Sequence, residues 1–361
     1  MRISRITSRD ELQALQRDWD ALYDRAENGQ VFLSSAWLLT WCEVFKRHIR
    51  DLSVYCVWDQ HKLVALLPLY CPVAKPRHLY FLGTGEPEKS EVCSEYLDIL
   101  LDGAYVADIK HALLTVIDAF NKTLFIPNIR QNAQLKRWLE GAVPKGRLLQ
   151  QSHLRRYFIP LHNPPLAKSK LRKKATRYYN TFLKQDGATV VRPENLPQAM
   201  AMFQTLVTLH RRRWQKKQTQ TIFDDPDFMA FHQYLIPRLW ENGRLALTQL
   251  AVSDDVIAVF YGFTNDKSMF FYQNGINEEF KPNVSAGSIM HLVQAQFALS
   301  EGLDEYDFLG SKPDYTYKTR LTTHEEPLFK ITVYPSIVRK YREMMVVLIQ
   351  KVIARFYRNR K

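Results

Sequence analysis

The sequence predicts a mixed α/β (α+β) protein with two similar halves, each a mixed, largely antiparallel sheet flanked by helices, and a C-terminal amphipathic helix. Three observations predict this class. The chain has 361 residues, 46% hydrophobic and 24% charged, so it is globular and long enough for about two domains. Segments with a helical apolar period alternate with short runs typical of strands. The order of these segments in the first half returns in the second, and we expect units over 1–150, 151–335 and 336–361.

The first half begins with two predicted helices. Apolar residues recur at helical spacing behind Ser8, a residue type that caps helix N-termini, so a helix is expected over 8–26 and a second over 34–48. The elements expected after them are strands over 52–59, 62–73, 78–85 and 95–101 and a helix over 106–120.

The second half has the same predicted plan. Its third helix is expected to stop before Gly243, because glycine is favoured just past a helix end. The helices expected are 169–185, 197–217, 226–242 and 285–301, and the strands are 244–253, 256–265, 268–276 and 305–310.

Composition narrows the class of function. The start of the chain has no apolar signal region and no apolar run reaches the ~18 to 20 residues of a membrane-spanning helix, so we expect a cytoplasmic protein. The four cysteines share no metal-binding spacing, which predicts neither a zinc site nor a disulfide framework, and no metal cofactor is expected. The formal net charge of +13 favours phosphorylated ligands, nucleic acid or anionic lipid without choosing among them.

One turn of small residues is a candidate phosphate site. Ser285, Ala286, Gly287 and Ser288 lead into the predicted helix 285–301, where free backbone N–H groups and the helix dipole favour an anion. A serine cap beside a glycine is also common at purely structural helix starts, so this turn alone leaves both interpretations open.

At this point the chain resembles a known family. The order of strands, small-residue turn, helix and Tyr-bearing loop resembles the GNAT acyltransferase fold, and more narrowly its CelD-type branch (BioF2-like acetyltransferase domain). That branch is similar to the Fem-type peptidoglycan aminoacyltransferases in pairing two GNAT-like halves. The motifs that carry the resemblance are FLSSAWLLTWCEVF (32–45), LLPLY (66–70), EYLDIL (95–100), HRRRW (210–214), SAGSIM (285–290) and YDFLGS with the later YK (306–318).

The resemblance implies acyl transfer from acetyl-CoA or another acyl-CoA to an amine, by direct attack on the thioester. The pyrophosphate would lie at the turn, and the residues expected to bind the cofactor are Val284, Ser285, Ala286, Gly287, Ser288 and Lys318. For the acid that protonates the leaving thiolate we favour Tyr317, with Tyr315 second. Asp307 and His210 are the candidate bases, although each residue could equally have a packing or hydrogen-bonding role.

The expected acceptor is a small-molecule or lipid-linked amino sugar. Arginine forks would meet a diphosphate and aromatic faces would meet a sugar, while a carboxylate from the first half could reach the cleft. The residues predicted for this role are Asp98, Arg211, Arg213, Trp214, Tyr272 and Asn274, with ordinary core or surface roles as the alternative.

The segment 336–361 has an apolar stripe with basic residues around it. It could bind the anionic inner face of the plasma membrane, near polysaccharide synthase components, or pack on its own domain or a partner.

Three functions follow from these observations. The first is an acyl-CoA-dependent N-acyltransferase that modifies a cell-envelope or exopolysaccharide precursor. The second is a Fem-like aminoacyltransferase whose basic surface holds aminoacyl-tRNA. The third is a non-catalytic GNAT-like scaffold at the membrane.

Overall fold

The fold is described from a computed structural model, which covers residues 1–162, 170–182, 187–216, 219–253, 255–280, 285–313 and 316–358. Helices and strands alternate along the whole chain. The helices are α1 Arg9–Ala14, α2 Gln16–Arg25, α3 Ser35–Val44, α4 Val106–Asp118, α5 Gln134–Ala142, α6 Lys170–Phe182, α7 Leu196–Gln215, α8 Pro226–Glu241, α9 Ala286–Ser300, α10 Thr316–Thr319 and α11 Ile337–Arg358. The strands are β1 Arg2–Ile6, β2 Ile49–Asp59, β3 Lys62–Pro72, β4 His78–Phe81, β5 Leu100–Leu101, β6 Thr123–Arg130, β7 Leu148–Pro160, β8 Ala188–Val191, β9 Leu245–Val252, β10 Asp255–Thr264, β11 Ser268–Ile276, β12 Glu305–Ser311 and β13 His324–Val333.

All thirteen of these strands belong to one mixed sheet, so the predicted mixed α/β class is confirmed. Its strand order is β1-β2-β3-β4-β6-β13-β7-β12-β11-β10-β9-β8, with β5 beside β3. Most neighbours are antiparallel, and the parallel pairs are β4 with β6 and β11 with β12. The sheet is therefore continuous across both halves of the sequence.

The two halves of the sheet meet at β13. This last strand pairs with β6 of the first half, while β7, at the junction of the halves, pairs with β12 of the second half. β13 and β7 also pair with each other, from His324 opposite Phe158 to Val333 opposite Leu148. β13 therefore joins the two halves into one sheet, because its backbone groups are satisfied by a strand on either side.

Each half contains a parallel pair that opens after three positions. In the second half, β11 and β12 pair from Ser268–Glu305 to Phe270–Asp307 and then separate. In the first half, β4 and β6 pair from His78–Thr123 to Tyr80–Phe125. Cavities form where the strands diverge.

The sequence predicted the regular, strongly periodic elements well and missed others. The helices at α4, α7, α8 and α9 and the strands at β2, β3, β9, β10, β11 and β12 occur where they were expected. The helix expected over 8–26 is divided at Leu15 into α1 and α2. The elements not predicted are β1, α5, β6, β7, β8, α10 and β13.

The strand expected over 95–101 is wrong for most of its length, since only Leu100–Leu101 is a strand. Cys93 and Tyr96 have φ of 53° and 55°, in the left-handed region, which is incompatible with extended pairing.

The C-terminal segment forms the predicted helix, α11. Among the described residues no helix combines the length and the hydropathy needed to cross a membrane.

Candidate active site

A cavity of about 680 Å³ lies where β11 and β12 diverge, and we call it the second-half cavity. Its size is in the range of small-molecule binding sites. Its walls come from α7, β11, the start of α9 and the turn at α10. The lining residues are His210, Arg213, Trp214, Phe271, Tyr272, Gln273, Asn274, Ile276, Asn277, Glu278, Ser285, Ala286, Gly287, Ser288, Tyr317 and Lys318.

Most of the residues predicted from the sequence meet here. Tyr317, His210, Lys318, the turn 285–288, Arg213, Trp214, Tyr272 and Asn274 all line the second-half cavity. Val284 and Tyr315 lie outside the described residues. The roles assigned to these residues remain predictions.

The first turn of α9 faces this cavity. Its first backbone N–H groups, at Ala286, Gly287 and Ser288, have no acceptor within their own helix. The Ser285 hydroxyl does not cap them and instead lies 2.7 Å from the Ser288 hydroxyl. A Cβ atom at Gly287 would be 2.8 Å from Cδ1 of Ile276, so glycine allows α9 to pack closely against the end of β11. The helix start can therefore present amide donors and partial positive charge to an anion.

Tyr317 belongs to a hydrogen-bonded series of three side chains. Its hydroxyl is within very short hydrogen-bonding range of Nε2 of His291, whose Nδ1 lies 2.8 Å from the Tyr306 hydroxyl. His291 and Tyr306 are fully buried, and burial lowers the pKa of His291 to about 3 with a smaller contribution from the Lys318 charge. His291 is therefore neutral at physiological pH and can pass a hydrogen bond between the two phenols.

Lys318 closes the β12 side of the cavity. Its ammonium donates to the carbonyl oxygens of Phe308, Leu309 (2.9 Å) and Gly310 (3.0 Å). Leu309 has φ of 60° at a break in the β12–β7 register, so these carbonyls turn toward the lysine instead of a neighbouring strand. Burial lowers the pKa of Lys318 to about 8, while the charge of Glu95 opposes that shift.

Glu95 lies on the other side of this lysine. It is buried and accepts the amide N–H of Gly310 at 2.6 Å. Burial raises the pKa of Glu95 to about 7, against the opposing effect of the Lys318 charge. Its carboxyl lines a separate cavity of about 450 Å³, the first-half cavity, where β4 and β6 diverge. The residues that line the first-half cavity include Glu86, Glu88, Glu91, Glu95 and Gly310.

The layer between the two cavities is thin. Lys318 lines the second-half cavity and donates to the carbonyl of Gly310, which lines the first-half cavity. Tyr272, on the second-half side, donates its hydroxyl to the carbonyl of Val92 at 3.1 Å. Glu95 and Lys318 thus occupy the divide between the cavities.

His210 is poorly suited to act as a base. Its Nε2 accepts a hydrogen bond from the indole N–H of Trp214 at 3.1 Å. Burial, with a smaller contribution from the nearby Arg213 charge, lowers the pKa of His210 to about 4. The ring lines the cavity as a neutral side chain whose basic nitrogen is already engaged.

Asp307 is not among the described residues that line the second-half cavity. It is fully buried, with one oxygen accepting from the Tyr96 hydroxyl (2.9 Å) and the Leu309 amide (2.7 Å). Its other oxygen lies 2.8 Å from the guanidinium of Arg156, which is also buried. These contacts favour the structural alternative for Asp307 over the role of base, because they hold the carboxylate in a buried ion pair.

Two predicted substrate residues also have structural contacts away from the second-half cavity. Asp98 accepts the amide N–H groups of Gln134 and Leu135, both at 2.8 Å, and so caps the start of α5. Arg211 pairs with Asp224 at 2.9 Å and donates to the carbonyl of Phe223. Asp98 also lines a cavity of about 420 Å³ between the two halves. The substrate roles of Asp98 and Arg211 therefore stay predictions, with structural roles as the alternative.

The sequence reasoning missed His291 and Glu95. His291 lies one helical turn after Gly287, so the 3.6-residue period of the predicted helix places both on one face. Glu95 lies in the motif used for the resemblance, but the segment was expected to be a strand, and its left-handed turns brought the carboxyl inward.

Comparison with known proteins finds a family match over the part of the chain that forms the second-half cavity. Residues 169–319 match the family described as Acetyltransferase (GNAT) domain. No curated protein matches the chain. Among the described residues no group of side chains is arranged to hold a metal ion.

Solved structures show the fold over nearly the whole chain. FemX is 12% identical and aligns with a TM-score of 0.58 over 93% of this chain and 98% of its own. The C-terminal domain of a protein assigned as a lysylphosphatidylglycerol synthetase, from Agrobacterium fabrum, is 11% identical, with a TM-score of 0.54 over 95% and 98%. L-PGS from Bacillus licheniformis is 9% identical, with a TM-score of 0.54 over 89% and 92%. Residues 169–319 of the second half are thus similar to a GNAT acetyltransferase domain, and the protein is an enzyme of the transferase class.

Proposed function

We propose that the protein is an acyl-CoA-dependent N-acyltransferase that binds its acyl donor in the second-half cavity. The observation that carries this proposal is the parallel pair β11–β12, which opens beyond Phe270 and Asp307 with the start of α9 at the resulting cavity. A donor arm can enter between the separated strands, and its pyrophosphate can accept from the first amides of α9.

Tyr317 is the acid in this proposal. The amine nitrogen attacks the thioester carbonyl carbon, and collapse of the tetrahedral intermediate breaks the carbon–sulfur bond. The thiolate then takes the proton of the Tyr317 hydroxyl. In the tautomer with a proton on Nε2, His291 donates to the Tyr317 oxygen, which stabilises the phenolate until it is reprotonated.

Glu95 is the residue we propose for removing the amine proton. At a pKa of about 7 it is substantially ionised at neutral pH, yet basic enough to accept a proton. An acceptor that approaches from the first-half cavity would meet Glu95 before reaching the divide at Lys318. Around that cavity the carboxylates of Glu88 and Glu91 outnumber the ammonium of Lys330, which favours a cationic amine.

The acceptor we propose is an amino sugar of a cell-envelope or exopolysaccharide precursor, linked to a nucleotide or a lipid. Its amine suits the acidic first-half cavity. The choice of an amino sugar rests on the resemblance to the CelD-type branch.

Calorimetric titration with acetyl-CoA and with free coenzyme A tests the donor. We expect micromolar binding by the natural protein and its loss in Gly287→Glu, since the added carboxylate would lie where the pyrophosphate binds. Gly141→Glu, on α5, is the matched control, because that position has open space for a side chain and the substitution adds the same charge. Absence of heat with both ligands, or equal loss in the two variants, would contradict donor binding at α9.

Aminoacyl-tRNA is the alternative donor. It is supported by the similarity in fold to FemX over 93% of the chain and by the net charge of +13. In that case coenzyme A would give no heat, and tRNA would bind with an affinity that falls steeply as salt is raised.

A further inference from the structure

Among the side chains that the structure describes, those of α11 that bond to the rest of the protein lie in its first turns. The residues that form these bonds are Lys340 and Glu343. Glu343 contacts His78 of β4 at 3.2 Å and Thr123 of β6 at 3.0 Å, and it also pairs with Arg339 within the helix. This contact fixes which side of the helix faces the sheet.

The opposite side of α11 is apolar and exposed. At 100° per residue, Tyr341, Met345 and Leu348 lie roughly opposite Glu343. Their exposed fractions are 63%, 54% and 55%. After Glu343, large apolar side chains are exposed on all sides of the helix. These residues are Met344, Met345, Val346, Val347, Leu348 and Ile349. Six consecutive large apolar residues at 46–55% exposure are unusual, since soluble proteins rarely expose contiguous apolar patches of this kind.

The same segment carries most of the excess positive charge. Residues 336–361 contain eight Lys or Arg and one acidic residue, a net charge of +7 out of +13 for the whole chain. A second copy of this helix would bring an equal positive charge to the interface, which disfavours pairing between copies. An anionic surface instead complements the charge and accepts the apolar side chains.

We propose that α11 is a docking helix for an anionic lipid bilayer and lies in the headgroup region with Tyr341, Met345 and Leu348 toward the acyl chains. The basic residues then contact the headgroups. The helix holds the enzyme on the membrane through the side opposite Glu343. Among the described residues, none of those in α11 lines either cavity, so membrane docking does not depend on the identity of the acyl donor.

Co-sedimentation of the full chain with vesicles tests the proposal. We expect binding to vesicles of phosphatidylcholine mixed with phosphatidylglycerol, little binding to phosphatidylcholine alone, and release by salt. Leu348→Glu should weaken binding about tenfold or more, because it places a carboxylate in the apolar layer. Val73→Glu is the matched control, since Val73 is also 55% exposed but lies in the first half.

A second pair of variants tests the contribution of the basic residues of α11 to vesicle binding. Arg342→Gln with Lys351→Gln should weaken binding to the anionic vesicles by about fivefold per residue. The control pair Arg17→Gln with Lys110→Gln removes the same charge from the first half and should have little effect.

Equal binding to both vesicle types, or no binding to either, would overturn the proposal. So would unchanged binding by Leu348→Glu. A concentration-dependent dimer that Leu348→Glu dissociates would assign the exposed side to a second copy of the chain and would also overturn it.

Discussion

Glu95, from the first half of the chain, accepts the amide N–H of Gly310, from the second half, at 2.6 Å. The carbonyl oxygen of the same glycine accepts a hydrogen bond from the ammonium of Lys318 at 3.0 Å. Gly310 has little room for any other residue, because a Cβ atom there would be 2.9 Å from the Glu95 carboxyl. A buried acid and a buried base thus contact the two backbone polar groups of one residue, Gly310, at the divide between two cavities.

The ionisation of Glu95 should make folding stability depend on pH. Since its pKa is about 7 when folded and near 4.5 when unfolded, the unfolded chain loses the proton first as pH rises. Protonated Glu95 therefore contributes its full stabilisation below about pH 4.5. This stabilisation falls as pH rises from 4.5 to 7, and above pH 7 it does not change further. Glu95→Gln should remove this fall, so its stability relative to the natural protein should increase from pH 5 to pH 8 in urea unfolding.

Glu86 provides the control for that measurement. Burial also raises its pKa to about 7, and it accepts from the Val92 amide at 2.9 Å, so Glu86→Gln should alter stability over the same pH range. If Glu95 is the base, activity should rise with pH through about 7 in the natural protein and in Glu86→Gln. Glu95→Gln should lack this rise. Retention of the rise in Glu95→Gln would remove this carboxylate from proton transfer.

Tyr317→Phe should lower turnover by about 10²-fold or more while leaving donor affinity nearly unchanged, because the hydroxyl is needed only when the thiolate leaves. The measurement is steady-state release of free thiol from acetyl-CoA in the presence of an amine panel, alongside calorimetric binding. Tyr306→Phe breaks the far end of the same series and should have a smaller effect. An unchanged rate in Tyr317→Phe would exclude it as the acid.

Arg156→Met should destabilise the fold by roughly 3–5 kcal/mol, because it leaves the buried Asp307 carboxylate without its cation. Arg155→Met, at the neighbouring position on β7, is the matched control. Arg155 is 41% exposed and pairs with the exposed Glu325, so its loss should cost about 1 kcal/mol or less. Chemical unfolding of both variants checks this, and equal losses would contradict a buried ion pair at Arg156.

Asp98→Asn should lower stability by about 1–3 kcal/mol without changing KM for either substrate. The carboxylate accepts from the amides of Gln134 and Leu135 through both oxygens, and the amide of asparagine can replace only one of them. Thermal unfolding measures the loss. A raised KM with unchanged stability would instead favour the substrate role of Asp98.

The sequence by itself determined the elements with a strong period and the small-residue turn. The helix at α9 and the strand at β11 follow from local patterns, which place Asn274 near the end of the strand and Ser285 and Gly287 at the start of the helix. The resemblance located Tyr317 and Lys318 because both lie in a short motif.

Only the tertiary structure decided which buried polar residues serve the fold and which face a cavity. Asp307 and Glu95 are both buried acids, yet Asp307 is paired with Arg156 on β7, while Glu95 lines the first-half cavity. That difference depends on the pairing of β7 with β12, which brings together residues far apart in the sequence. The alternation of apolar and polar residues fixes which side of a strand is buried, but it carries no information about which distant strand will lie beside it.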